Sequence, residues 1–135
     1  MATQLHRLHR IGQSPWIDFV TRHLIQAGEL HRLIERGIRG LTANPTIFEK
    51  AIAGSTDYDA SIRKLVATGA GSAQIYEGLI IEDIRTAADV LRPIYDQTSG
   101  VDGYASIEVS PKLAYDTQAG RDALRRLAGA PVQMH

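Results

Sequence analysis

Three polar residues, Asp18, Asn44 and Glu108, lie at or near the carboxyl ends of three short apolar stretches. The two carboxylates can transfer protons, and the amide can hold a polar ligand through hydrogen bonds. An acidic side chain that points inward from a strand is unfavourable unless it is paired or functional. These three residues are therefore candidate functional residues. Two alternatives stay open: a strand-end Asp often caps a helix or forms an ion pair, and Asn before Pro commonly forms a turn or helix cap.

The three apolar stretches predict three strands, over residues 16–20, 38–44 and 104–109. Pro45 ends the second strand, because its ring removes the backbone donor that a sheet needs. Side chains alternate along a strand, so each strand has one face that carries polar groups. The predicted polar faces combine Asp18 with Trp16 and Val20, Thr42 with Asn44, and Ser106 with Glu108. Ile17 and Phe19 then belong to the opposite, apolar face of the first strand.

Helical patterns fill the segments between these strands. Apolar spacing predicts a short helix ending near Gly12, one from about Leu24 to Gly37, and one beginning at Pro45. Thr56 with Asp59 is expected to cap a helix that runs to Gly69, and Ser72 to cap a long helix. Pro93 should kink or end that long helix, and Asp116 or Thr117 should cap a last one running to Gly129.

Strands that alternate with helices predict an α/β fold with a parallel sheet. A doubly wound sheet is covered on both faces and favours continuous apolar runs, whereas here one face of each strand carries polar groups. This pattern favours a (β/α)₈ barrel whose polar interior holds a site at the carboxyl ends of the strands. Such a barrel needs eight strands and roughly 250 residues. We therefore interpret residues 1–135 as a single, incomplete barrel segment with about three strands.

Composition excludes several classes of protein. Fifteen Lys and Arg residues balance fifteen Asp and Glu residues, so no global positive field favours nucleic acid. The absence of cysteine excludes a disulfide framework and a thiol nucleophile. The polar first residues do not form a signal peptide, and no apolar run reaches the length of a membrane span. A cytoplasmic location is expected.

Several segments together resemble the N-terminal part of the transaldolase family. They are GQSPWIDFV, GLTANPTIFEKAIAGSTDYD, IEDIRTAADVLRPIYDQTSGVDGYASIEVSP and LAYDT, and they occur in the family's order. The resemblance covers nearly the whole chain up to about Leu127. It is similar to the long form of the family, which occurs alone or fused to a glucose-6-phosphate isomerase.

The resemblance implies a class I aldolase-type barrel of the pentose phosphate pathway. Such enzymes transfer a dihydroxyacetone unit between sugar phosphates: sedoheptulose 7-phosphate, glyceraldehyde 3-phosphate, fructose 6-phosphate and erythrose 4-phosphate. A lysine amine forms a Schiff base with the donor, and no metal or other cofactor takes part. By the same resemblance, Asp18 is the acid/base for carbon–carbon cleavage, and Glu108 assists formation and hydrolysis of the Schiff base. Asn44 then binds the dihydroxyacetone unit, and Thr42 lines the same wall.

The Schiff-base lysine of the family is expected on the strand after the helix that follows Glu108. No lysine follows Lys112 in this sequence, and Lys50, Lys64 and Lys112 are each interpreted as solvated surface residues. The family's groups for the substrate phosphate also lie on later strands. The chain is therefore expected to be a truncated transaldolase segment that is inactive alone.

The alternative hypothesis is a non-catalytic α/β module that binds a partner or a sugar phosphate. In either case an incomplete barrel exposes strand edges, which favours self-association. His6 and His9 lie on one face of the first predicted helix, but no third metal ligand accompanies them, so a solvated face is favoured over a metal site.

Overall fold

A computed structural model describes residues 2–108, 116–118, 122, 125 and 132–134. Four strands and six helices have both of their ends within this part of the chain. In chain order they are α1 (Gln4–Arg10), β1 (Trp16–Ile17), α2 (Arg22–Gln26), α3 (Glu29–Glu35), β2 (Gly40–Ala43), α4 (Pro45–Ala53), α5 (Asp59–Ala67), α6 (Ser72–Gln97), β3 (Tyr104–Ile107) and β4 (Val132–Met134). The predicted last helix, from Asp116 or Thr117 to Gly129, lies largely outside the described residues.

The strands form one parallel sheet in the order β1-β2-β3-β4. Ile17 is opposite Leu41, and Ala43 is opposite Ile107, so the carboxyl ends of β1, β2 and β3 meet at one edge. Each strand pairs with the next one in the sequence, so the order does not reverse. A doubly wound sheet reverses its strand order at a switch point, and the described strands have no such point. The predicted α/β fold with a parallel sheet is confirmed.

The core lies between one face of this sheet and the helices. Leu41 and Ala43 of β2 and Ala105 and Ile107 of β3 are buried, and they belong to one cluster with helix residues. The helical members include Leu24, Leu30, Phe48, Ile84 and Leu91. Burying these apolar side chains provides the main stabilisation of the fold, at roughly 25 cal/mol per Å² of apolar surface. The predicted apolar faces of β2 and β3 are therefore correct.

The face prediction fails at the end of β1. The strand stops at Ile17 rather than Val20, and the chain bends at Asp18. Val20 is fully buried in the core, whereas Phe19 is 49% exposed, the reverse of the assignment from alternation. Alternation applies only while the backbone is extended, so a bend after Ile17 exchanges the two faces.

Two helix boundaries also differ from the prediction. The helix predicted from Leu24 to Gly37 is divided into α2 and α3 by Gly28, whose φ of 72° is accessible to glycine without strain. Pro93 does not end α6, which continues to Gln97. Leu91 and Ile94, on either side of Pro93, are buried. We attribute the continuity of α6 to this packing, which compensates for the hydrogen bond that proline cannot make.

Smaller differences concern caps. Tyr58 rather than Thr56 precedes the first residue of α5, and Gly71 rather than Ser72 is the N-cap of α6. The Gly71 amide donates a 2.9 Å hydrogen bond to Gln74 Oε1, so the side chain three residues into the helix completes the cap.

The prediction of about three strands requires one addition. Val132–Met134 forms β4, which pairs in parallel with β3 over Ala105 to Ile107. Three residues are too few for an alternating pattern to be recognised in a sequence. Within the described residues, no helix is long and apolar enough to cross a membrane.

Candidate active site

Asp18, Asn44 and Glu108 are each the first residue after a strand: β1 ends at Ile17, β2 at Ala43 and β3 at Ile107. Because the strands are parallel and adjacent, this position brings the three side chains to one edge of the sheet. All three line a single open cleft of about 500 Å³. The cleft thus combines two carboxylates and one amide, at the end of the sheet where parallel α/β proteins bind ligands.

Asp18 is exposed to the cleft, and a hydrogen bond from Thr42 restrains its carboxylate. The Thr42 hydroxyl donates a 2.7 Å hydrogen bond to Asp18 Oδ1. Thr42 is half-buried in β2 and is absent from the residues that line the cleft. The structure therefore places Thr42 next to the carboxylate, and its direct contact with a substrate stays a prediction.

The side-chain amide of Asn44 has an acceptor, Oδ1, and a donor, Nδ2, so it can cap a helix and bind a ligand at the same time. Its Oδ1 accepts a 3.0 Å hydrogen bond from the Ile47 amide and so caps α4. Pro45 follows as the first helical residue, where its missing N–H is not required. Since Oδ1 is the acceptor in the cap, Nδ2 is left to donate, and the half-buried side chain borders the cleft. The cap interpretation is confirmed, and the same side chain remains able to bind a ligand.

Glu108 is held through its backbone. Its amide donates a 3.0 Å hydrogen bond to the Ala43 carbonyl, which continues the pairing of β2 and β3 beyond the last ladder residue. This bond fixes Glu108 beside Asn44, and the exposed carboxylate borders the cleft. Two residues earlier, on the same face, Ser106 is buried, and its hydroxyl has no hydrogen-bond partner among the described residues.

The cleft also contains two residues that the sequence analysis did not select. Thr46 and Lys50 lie on α4, four residues apart, and both line the cleft although their side chains are exposed. Residues four apart lie on the same face of a helix. The sequence predicts Lys50 to be a solvated surface residue, and its side chain is exposed but borders the cleft. Its helical position relative to Asn44 was the one signal that could have identified it.

Comparison with known proteins identifies the family of this chain. A sequence model of the family Transaldolase/Fructose-6-phosphate aldolase matches residues 15–131. The chain belongs to this family. It is 50% identical over 123 residues to Transaldolase 2 of Nostoc punctiforme, which covers 90% of this chain and 32% of the relative.

Two more curated relatives give the same result. The chain is 46% identical over 120 residues to a transaldolase of Trichodesmium erythraeum, covering 88% of this chain and 32% of that protein. It is 38% identical over 128 residues to a transaldolase of Neisseria gonorrhoeae, covering 95% and 36% respectively. The resemblance to the transaldolase family is therefore confirmed. This chain spans about a third of the length of these relatives.

In this transaldolase-family chain, a buried charged cluster holds the start of α2, four residues after Asp18. Arg22 is 4% exposed, and its Nε donates to Asp83 Oδ1 at 2.8 Å. Its two terminal nitrogens donate to Ser61 Oγ at 2.7 Å and Glu82 Oε2 at 3.0 Å. The guanidinium also lies 4.4 Å from the ring centroid of Tyr58. Arg22 thus connects α2 with both α5 and α6.

Tyr58 completes this cluster. Its hydroxyl donates to Asp83 Oδ2 at 2.7 Å and accepts from the Arg22 amide at 3.1 Å. Burial, reinforced by the hydrogen bond to the Asp83 carboxylate, raises the pKa of Tyr58 far above its ordinary value. Burial also raises the pKa of Asp83, although the bonds from Tyr58 and Arg22 oppose the shift. Arg22 and Asp83 cannot be recognised as a pair in the sequence, because residues 61 positions apart give no local pattern.

The histidine pair of α1 has structural partners. His6 Nδ1 accepts a 3.1 Å hydrogen bond from the Thr3 amide, within the N-cap of the helix. His9 Nδ1 lies 3.8 Å from Asp102 Oδ2. In the part of the chain that the structure describes, no group of three or more His, Cys, Asp or Glu side chains is arranged to hold a metal ion.

Proposed function

We propose that this chain forms the first strands of a transaldolase-type (β/α)₈ barrel and contributes one wall of its active site. The observation that supports this proposal is the position of Asp18, Asn44 and Glu108. Each is the first residue after its parallel strand, and all three border one cleft. Family membership supports sugar phosphates as the substrate class. The reaction is the transfer of a dihydroxyacetone unit within the pentose phosphate pathway.

In this proposal each residue has one task. The Asp18 carboxylate, held by Thr42, accepts the proton of the donor hydroxyl when the neighbouring carbon–carbon bond breaks. Asn44 Nδ2 donates to an oxygen of the dihydroxyacetone unit, since its Oδ1 is engaged in the helix cap. Glu108 exchanges protons with the water that is released or consumed as the Schiff base forms and hydrolyses.

The nucleophilic amine must come from a lysine at the same edge of the barrel. Lys50 is the one lysine that borders the cleft among the described residues, and Lys64 lies on α5. Lys50 is exposed, whereas a lysine that forms a Schiff base is ordinarily activated in a desolvated pocket or next to another cation. We therefore propose that the Schiff-base lysine belongs to a later strand and that this chain alone binds substrate without turnover.

Borohydride trapping tests this proposal directly. The chain is incubated with fructose 6-phosphate and borohydride, and its mass is measured with and without a C-terminal segment of Nostoc punctiforme Transaldolase 2 that carries the later strands. We expect no adduct on the isolated chain, and a reduced adduct on the added segment when both are present. An adduct on this chain, located by peptide mapping at Lys50, would show instead that the chain has its own nucleophile.

A further inference from the structure

Asn44 lies in a turn whose neighbouring carbonyl groups both accept hydrogen bonds from other elements. The Ala43 carbonyl accepts a 3.0 Å bond from the amide of Glu108, the residue directly after β3. The Pro45 carbonyl accepts a 3.2 Å bond from the hydroxyl of Tyr76, in α6. The backbone on either side of Asn44 is therefore held by two elements that are distant in sequence.

The bond from Tyr76 reaches the first turn of α4 without competing with the helix. Pro45 is the first residue of α4, so its carbonyl also accepts from the amide four residues later. A carbonyl oxygen has two lone pairs and can accept both bonds. The same turn contains the Ile47 amide that donates to Asn44 Oδ1. A bond to the Pro45 carbonyl thus restrains the turn that determines where the Asn44 side chain points.

Tyr76 is itself fixed by packing. Its side chain is half-buried and packs against the hydrophobic core, as do Ile47 and Ile80. Burial, together with the negative charge of Glu49, raises the pKa of Tyr76 above its ordinary value. The hydroxyl therefore keeps the proton that it donates to Pro45.

We propose that Tyr76 is a positioning residue that orients the Asn44 amide at the candidate active site through the Pro45 carbonyl. Asn44 Oδ1 is engaged in the helix cap, so the direction of Nδ2 follows the orientation of the first turn of α4. Tyr76 is absent from the residues that line the cleft and acts through the backbone. The inference rests on the proposed function only for the ligand of Nδ2, because the restraint on the turn is a property of the chain alone.

The first test is amide hydrogen exchange of the full 135-residue chain without ligand. The Ile47 amide reports the Asn44 cap, and the Leu24 amide, which donates to Thr21 Oγ1 at 3.1 Å, reports the cap of α2. Tyr76→Phe removes only the hydroxyl. It should speed exchange of Ile47 by about three- to tenfold, the range for one neutral hydrogen bond, and leave Leu24 unchanged. The side-chain amide resonances of Asn44 should move in the same variant.

The matched control is Tyr104→Phe. The Tyr104 hydroxyl also donates to a backbone carbonyl, that of Gly100, at 2.6 Å. Tyr104 is the first residue of β3, at the opposite end of the strand from the cleft. This variant loses the same kind of bond, and it should change neither the exchange of Ile47 nor the side-chain resonances of Asn44.

Fructose 6-phosphate then relates the positioning role to binding. We expect this ligand to shift the side-chain amide signals of Asn44 in the wild-type chain. Tyr76→Phe should bind it more weakly, by up to about tenfold, because one neutral hydrogen bond contributes no more than that. Tyr104→Phe should bind it as the wild-type chain does.

The outcomes separate this inference from the proposed function. Equal acceleration of Ile47 and Leu24 in Tyr76→Phe would show a general loss of stability, and unchanged exchange of Ile47 would show that the bond does not restrain the turn. Either result overturns the inference, as would unchanged sugar affinity in a variant whose Ile47 exchange is faster. Absence of any ligand shift at Asn44 in the wild-type chain would overturn the proposed function and leave the exchange result standing.

Discussion

At the scale of single residues, the candidate site depends on side chains that make one hydrogen bond to the protein and keep another polar atom for a ligand. Asp18 accepts a hydrogen bond from the Thr42 hydroxyl, and Asn44 accepts one from the Ile47 amide. These bonds restrict the rotamers of the two side chains before any ligand arrives, which reduces the entropy lost on binding. The site is therefore partly preorganised by β2 and the first turn of α4.

Asn44 allows its structural and functional bonds to be separated. Asn44→Asp keeps the Oδ1 acceptor for the helix cap but replaces the Nδ2 donor with a second carboxylate oxygen. We expect the free energy of unfolding to change little, while sugar binding is lost because a donor becomes a third negative charge in the cleft. Urea denaturation and amide-shift titration measure the two properties.

The control for this variant is Asn44→Ala, which removes both bonds. It should lose sugar binding and also about 0.5–2 kcal/mol of stability, the usual contribution of an N-cap side chain. If Asn44→Asp retained binding, the proposed donor role of Nδ2 would be wrong.

A site residue could be predicted from the sequence only where the residues next to it in the chain indicate its position. Asp18, Asn44 and Glu108 were identified because a strand and a following breaker are visible within a few residues of each. Lys50 was assigned to solvent, since its approach to the cleft depends on the direction in which α4 leaves β2. The predicted faces of Phe19 and Val20 are exchanged in the structure, because the apolar pattern does not indicate the bend after Ile17.

At the scale of secondary-structure elements, the cluster around Arg22 fixes the start of α2 and thus the loop that carries Asp18. Val20 is fully buried and Thr21 caps α2 through a 3.1 Å bond to the Leu24 amide. The segment from Asp18 to Arg22 is thereby anchored to the core at several consecutive positions. Long-range contacts of α2 with α5 and α6, rather than local sequence, determine where this loop lies.

Removing the central cation should destabilise the fold strongly. Arg22→Met leaves the Asp83 carboxylate buried without its cation, which costs about 3–5 kcal/mol for a buried pair broken on one side. Arg32→Met is the matched control, since Arg32 forms an exposed pair with Glu29 at 3.8 Å and should change stability by less than about 1 kcal/mol. Urea denaturation followed by circular dichroism measures both, and similar losses in the two variants would contradict this account.

Tyr58 predicts a specific dependence of stability on alkaline pH. Its pKa is raised in the folded state, so above a pH of about 10 the unfolded chain releases a proton that the folded chain retains. Stability should then fall as pH rises, with a contribution of about 1.4 kcal/mol per pH unit.

The comparison that isolates this effect is Tyr58→Phe. The variant should be less stable near neutral pH, by about 1–3 kcal/mol, because Asp83 loses a buried hydrogen-bond donor. Its stability should fall less steeply than that of the wild-type chain between about pH 9 and pH 11. Parallel curves for the two proteins would show that Tyr58 titrates normally.

The elements themselves were largely predictable, with two exceptions among the helices. The cores of β2, β3 and most helices follow from apolar periodicity, whereas the continuation of α6 through Pro93 and the division at Gly28 do not. The first depends on packing, since Leu91 and Ile94 on either side of Pro93 are buried. The second is a local effect of the positive φ of Gly28. The preference of proline to end a helix amounts to a few kcal/mol at most. The free energy gained by burying apolar side chains of α6 is of comparable size and overrides it.

At the scale of the whole molecule, the strand order leaves β1 and β4 at the two edges of the described sheet. Edge strands offer unpaired backbone groups to another chain. Because a (β/α)₈ barrel closes without edges, the proposed fold implies that this chain gains stability from further strands, whether from a later segment or from a second copy.

Self-association should accordingly increase with concentration and respond to charge at an edge. Val132→Lys, in β4, should shift the chain towards monomer in sedimentation velocity experiments, since a lysine on an edge strand discourages strand addition. Val66→Lys, at an exposed position of α5, adds the same charge away from the edges and should leave association unchanged. Equal effects would indicate general charge repulsion instead of edge pairing.

The contact between Trp16 and Gly40 makes the formation of this site observable by fluorescence. A Cβ atom at position 40 would lie 2.5 Å from the indole ring, so glycine alone permits the ring to lie on β2. Trp16 is the single tryptophan of the chain, and Asp18 and Asn44 follow directly after the two paired strands. Its emission therefore reports the docking of β1 onto β2, and stopped-flow refolding can show whether these two polar groups are brought together early or only when additional strands close the barrel.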